Sequence, residues 1–150
     1  MFDVLVYLYE NYWRPDACPD HEQLSKKLTA VGFESEEIAD ALTWLDGLAS
    51  VAESYVANQH DLSVRVYLPN EQDHLGTASI SFLSFLESAG VLPPSMREIV
   101  VDRAMALDGG PVPLEDLKII VLMVFWSLGE EPDALILDEL FVDAEDRLIH

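Results

Sequence analysis

"SEEIADALTWLDGLA", residues 35–49, decides how this chain is read. Ser35 is a good N-cap, and Glu36 and Glu37 follow in the first turn, where the positive end of a helix dipole favours acids. Ile38, Ala41, Leu42, Leu45, Leu48 and Ala49 then recur at three- and four-residue spacing, with Trp44 at the edge of the stripe, which predicts an amphipathic helix. Working outward, "DHEQLSKKLTA" at 20–30 predicts a shorter helix capped by Asp20, burying Leu24, Leu28 and Val31 and ending at Gly32. Ahead of it, "MFDVLVYLYENYW" at 1–13 is apolar on most faces and predicts a largely buried first helix. Downstream, "LSVRVYL" at 62–68 alternates apolar and polar residues as a strand does, and "ESYVA" at 53–57, joined through "NQHD", is its hairpin partner. Three helices and a hairpin in this order predict a winged-helix-like unit over residues 1–69.

The middle helix of that unit stands where a DNA reader keeps its recognition helix, yet residues 28–64 contain no Lys or Arg. Up to residue 68 the chain has 12 acids against Arg14, Lys26, Lys27 and Arg65. Such a helix lacks the cations that grip guanine and those that position a protein on phosphates. The whole chain repeats the point, with 28 Asp and Glu against 8 Lys and Arg and a net charge of −20. A surface of that sign disfavours direct nucleic-acid binding and anionic membranes, and its natural electrostatic complement is a basic protein.

The second half reads as helix throughout. "NEQDHLG" at 70–76 is the expected join, and a helical lobe over 76–150 follows, so the predicted class is mainly α with one small hairpin. "TASISFLSFLESAG" and "LPPSMREIVVDRAMAL" are amphipathic, and "DGGPVP" at 108–113 is a clear break. "LEDLKIIVLMVFWSLG" at 114–129 becomes apolar all round after Lys118, which predicts the central helix of the lobe. "EEPDALILDELFV" at 130–142 predicts a closing helix. At 150 residues and 50% apolar content, the chain has enough material for a substantial core.

Motifs for chemistry are scarce. His21, His60, His74 and His150 are scattered without zinc-ligand spacing, and Cys18 is the single cysteine, so neither a metal site nor an internal disulfide is expected. The chain has no phosphate-cradling glycine loop, no dinucleotide fingerprint and no nucleophile elbow, and the acid pairs are too many to single one out. No enzyme activity and no cofactor are expected. The longest apolar run, "IIVLMVFW" at 119–126, is far below the roughly 20 residues of a membrane-spanning helix, and the start shows no secretory pattern. A cytoplasmic protein is expected.

Two sets of residues remain as candidate sites. Glu36, Glu37, Asp40 and Asp46 on the middle helix, with Trp44 as an anchor, would meet a basic protein partner. The alternative is a small cationic cluster of Lys26, Lys27, Arg65, Arg97 and Arg103, which requires the fold to gather these residues on one side for direct nucleic-acid contact. Arg97 and Arg103 share a helix with Glu98 and Asp102, and ion pairing within the chain is the favoured account of them.

"MFDVLVYLYENY", "GFESEEIADALTWLDGLA", "VRVYLPNEQDHL", "FLSFLESAGVLPPSMREIVVDRAMALD" and "LEDLKIIVLMVFW" together resemble the Smg family of bacterial proteins, in order and over nearly the whole chain. Asp3, Tyr7, Trp44, Arg65, Tyr67, Arg97, Glu98, Asp102, Arg103 and Lys118 match its pattern most plainly. The resemblance implies no catalytic residue. It does imply a setting near DNA processing or translation, because genes of this family often neighbour those for a DNA-processing protein, topoisomerase I, and the peptide deformylase and formyltransferase.

Overall fold

The computed structural model describes residues 2–12, 20–56, 67–107 and 109–129. Within them are α1 (Phe2–Asn11), α2 (His21–Val31), α3 (Ser35–Val56), α4 (Pro69–Leu75), α5 (Thr77–Ser88), α6 (Pro94–Met105) and α7 (Leu114–Ser127). The described residues contain no β-strand.

The class is therefore mainly α, and the winged-helix hairpin expected from the sequence is overturned. "ESYV", expected as its first strand, is the last turn of α3. Leu48 and Ala52 are buried four residues apart, so the apolar stripe of α3 runs into this stretch without a break. No Pro or Gly stands between Gly47 and Val56. Once a helix is nucleated, each further residue adds a hydrogen bond at little cost, and local alternation over five residues does not outweigh that. Residues 62–66 of the second expected strand, 62–68, lie outside the described residues; its last residue, Leu68, is extended and leads into α4. The closing helix expected at 130–142 also lies outside them.

Local chemistry sets the other helix ends. The Asp20 carboxylate accepts the Gln23 N–H at 2.9 Å and caps α2. Gly32, at φ 120°, ends α2 with its N–H donating to the Leu28 and Thr29 carbonyls, and the turn swings Phe33 edge-on to Tyr7 of α1 at 5.8 Å. "NEQDHLG", expected as a join, is mostly α4, where Pro69 takes the first helical position and Glu71 accepts the Leu68 N–H at 3.0 Å.

Helix α7 is the centre, as its sequence predicts. Every side chain over 117–126 is buried, and α1, α3, α5 and α6 pack around it. Trp126, near its end, donates its indole N–H to the Tyr12 carbonyl at 2.7 Å, tying the end of α7 to the end of α1. Helix α3 lies against α6, so the first and second halves of the chain share one apolar core. No helix among the described residues is long and apolar enough to cross a membrane.

Candidate functional site: an acidic helix and the cleft beside it

Helix α3 presents part of its surface to solvent and part to α6. At 100° per residue, Glu36 and Asp40 lie within roughly 40° of each other on the outer face. Both are exposed. Glu37 lies roughly 100° from Glu36 toward one flank, and Asp46 roughly 80° toward the other. Asp46 faces α2, with its Oδ1 3.3 Å from Nε2 of His21. The four acids thus form a broad band rather than a single row.

Trp44 is in a different situation. It is only 5% exposed, and its indole N–H donates to the Arg103 carbonyl on α6 at 3.3 Å. Arg103 answers: its Nη1 donates to the Trp44 carbonyl at 3.3 Å, and its guanidinium carbon sits 5.9 Å from the centre of the indole. Nε and Nη2 of Arg103 are held by Asp102 at 3.1 and 2.9 Å. The reciprocal bonds clamp α3 to α6, and they explain a residue that the sequence reading passed over. Gly47 sits mid-helix, where glycine is unfavourable, because a Cβ there would run into Arg103, with the guanidinium carbon only 3.0 Å away. A glycine inside an otherwise strong helical pattern is the signal that marks such a close approach.

The cationic set does not come together on one surface. Arg97 is 3% exposed and lies between Glu87 of α5, 3.4 Å from its Nε, and Glu98, at 3.5 Å. Arg103 has a side chain 13% exposed, committed as above. Lys118 is 7% exposed, with its ammonium 5.6 Å from the centre of the Phe82 ring. Lys26 and Lys27 are exposed on α2, Lys26 within 3.7 Å of Glu22 one turn earlier. Arg65 lies outside the described residues. Among the described cations, three of five are drawn inside the fold, whereas none of the described acids is fully buried.

Beside the acidic band is an open cleft of about 590 Å³, bounded by α1, α3, the end of α6, the turn before α7 and the first turn of α7. Asp40, Thr43 and Trp44 line it from α3, Phe2 from α1, Arg103 from α6, and residues 109–113 and Asp116 from the turn before α7 and its first turn. That turn is well anchored. The Ser79 hydroxyl, fully buried, donates to the Val112 carbonyl at 3.0 Å, and the Val112 N–H donates to the His74 carbonyl at 2.8 Å. The Nε2 of His74 bonds the Ala104 carbonyl at 3.0 Å, and His74 packs against Gly110. Of the cleft residues, Asp40, Trp44 and Arg103 were candidates from sequence. Phe2, Thr43 and Asp116 were not, because three separate elements bring them together and no local spacing does. Among the described residues no group of His, Cys, Asp and Glu is arranged to hold a metal ion.

The family described as "Protein of unknown function (DUF494)" matches residues 1–150. Proteins named "Protein Smg homolog" match end to end: one from Leptothrix cholodnii is 87% identical over 150 residues, covering all of both chains. Another from Methylibium petroleiphilum is 76% identical over 150 residues, and one from Herminiimonas arsenicoxydans 54% over 158, again with both chains covered in full. No solved structure matches the chain.

Proposed function

The chain belongs to the Smg family, and on that premise we propose that it is a non-catalytic, cytoplasmic adaptor whose acidic α3 face binds a basic nucleic-acid-handling protein. One observation carries the reading: the fold buries Arg97 and Lys118 and largely covers Arg103, while every described acid keeps some exposure. This makes the described surface more negative than composition alone requires. Charged surfaces of opposite sign steer encounter and suppress wrong partners. A basic protein that grips nucleic acid has the complementary surface, so the adaptor would occupy that surface or recruit its owner. Trp44 serves this function by fixing α3 on α6 and not as an exposed anchor. Direct nucleic-acid binding draws less support. The two exposed lysines on α2 would release only about two counterions, a shallow salt slope of about −2.

The test is affinity capture from nuclease-treated lysate at low and high salt, followed by kinetics on the recovered partner. Replacing Glu36, Glu37, Asp40 and Asp46 by their amides changes the net charge from −20 to −16. The association rate at low salt should fall by about tenfold with a flatter salt dependence, while dissociation changes less. Unchanged association and salt response in the amide variant would place the interface elsewhere. Capture that occurs only when nuclease is omitted would replace the adaptor by a nucleic-acid binder.

A further inference from the structure

We propose that two copies of this chain pair through the outer face of α5, antiparallel, with Ala78 and Phe82 of each copy against Ala89 and Phe85 of the other. The face combines two properties found together on no other described helix: an exposed aromatic side chain and exposed positions without charge. Phe85 is 53% exposed. The other exposed positions of α5 and its C-cap are Ala, Ser and Thr. Glu87, the one charged residue of α5, is half-buried and turned to Arg97, whose Nε is 3.4 Å away. Every other described helix that has exposed positions shows a charged residue among them. Depletion of charge around an aromatic side chain marks the core of an interface.

The spacing identifies the occupant. Ala78, Phe82, Phe85 and Ala89 follow one another by four, three and four residues, the heptad rhythm of a coiled-coil seam. At 100° per residue they lie within roughly 60° of each other, on the side turned from Ile80 and Leu83, which face the core. A seam that points to solvent is matched by a second helix with the same rhythm. The order Ala, Phe, Phe, Ala also reads the same in both directions. A second α5 laid antiparallel about a two-fold axis between residues 83 and 84 therefore sets phenylalanine against phenylalanine and alanine against alanine. One patch then serves both sides, as a two-fold interface requires. The alanines let the helices approach at each end. Phe82 and Phe85, with ring centres 6.4 Å apart in one copy, supply half of a central layer of four rings. Charge favours the same face. Two chains of net charge −20 repel wherever their acids meet, and this uncharged strip is where they can touch. Helix α5 has 12 residues, a length of roughly 18 Å, so the contact is small and the dimer transient.

The test is sedimentation equilibrium of the full chain from micromolar to millimolar concentration. A reversible dimer is expected, with a dissociation constant on the order of 0.1 mM at moderate salt. Salt screens the repulsion between like charges, so raising it should tighten the dimer severalfold. Capture of the basic partner weakens with salt, so the two interactions, and their failures, are read apart. Phe85→Asp, at an exposed position, should weaken the dimer at least tenfold with helix content unchanged. Register is read by cysteine crosslinking under diamide, with Ala78→Cys and Ala89→Cys each placed in a Cys18→Ser chain. In the antiparallel pair residue 78 meets residue 89 of the other copy and lies roughly 16 Å from its residue 78, beyond disulfide reach. The mixture of the two proteins should therefore crosslink, and neither protein alone should. A monomer at every concentration would overturn the proposal, as would a dimer that survives Phe85→Asp or loosens as salt rises. Crosslinking of each protein with itself faster than in the mixture would overturn the antiparallel pairing. A monomeric chain whose capture of the basic partner is abolished by Phe85→Asp would give this face to that partner instead.

Discussion

Gly47→Ala is the most informative single change in this protein, because two well-understood effects oppose each other there. In a helix interior, alanine is more favourable than glycine by about 1 kcal/mol. At this position, however, the new methyl meets Nη1 and the central carbon of Arg103, whose side chain is only 13% exposed. The guanidinium must leave, and with it goes the bond from Nη1 to the Trp44 carbonyl. A hydrogen bond from a charged donor contributes about 1.5–3 kcal/mol, and the lost contact with the indole adds roughly 0.5–1 kcal/mol. The losses win, and Gly47→Ala should destabilise by about 1–3 kcal/mol net. The sign should then reverse in an Arg103→Ala background, where the same methyl has room and the helix gains about 1 kcal/mol. Urea denaturation of the four proteins, followed by far-ultraviolet circular dichroism, gives the cycle. Stabilisation by Gly47→Ala in the otherwise unchanged protein, or the same loss in both backgrounds, would refute the clamp.

Two further expectations bear on the fold and on the cleft. Ala52→Pro, in the part of α3 that continues beyond the expected wing, should cost about 3 kcal/mol or more by breaking the helix ladder, read by urea denaturation. A near-neutral effect would show that the helix ends earlier. Ser79→Ala leaves the Val112 carbonyl without its buried donor, so stability should fall by about 1–3 kcal/mol and amide exchange at Val112 should quicken relative to that of Leu83. Equal acceleration at both amides would mean that the turn is not anchored separately from the core.

Where helix periodicity is strong, the fold can be read directly from the residues. The stripe of α3, the Asp20 cap and the all-apolar run of α7 each specify an element without reference to any other part of the chain, although Val31 and Ala49, expected in the core, are exposed. The hairpin failed because alternation over five residues is a weak signal beside an uninterrupted helix arriving from upstream. The site was legible only in part. Asp40 is exposed on α3, as an amphipathic pattern requires. The cleft around it depends on α1, α3, α6 and α7 meeting in space, which no local spacing encodes. Arg97 and Arg103 illustrate the same limit. Their rarity marks them as unusual, but only the packing of α6 against α3 and α5 shows that they face inward. Gly47 was the one long-range contact with a local trace, a glycine in a helix with no turn to make.

The position of α7 in the chain has a consequence for synthesis. α1 packs on α7, and the bond from Trp126 to Tyr12 joins residues 114 positions apart. Loops of that length close late, and such contacts cannot form until residue 126 has left the ribosome. A nascent chain that has released α1 to α6 therefore carries their apolar faces with the central partner still missing. That interval is when a chaperone has most to shield, and a ribosome stalled just short of α7 should yield a fragment prone to aggregate rather than a smaller folded protein.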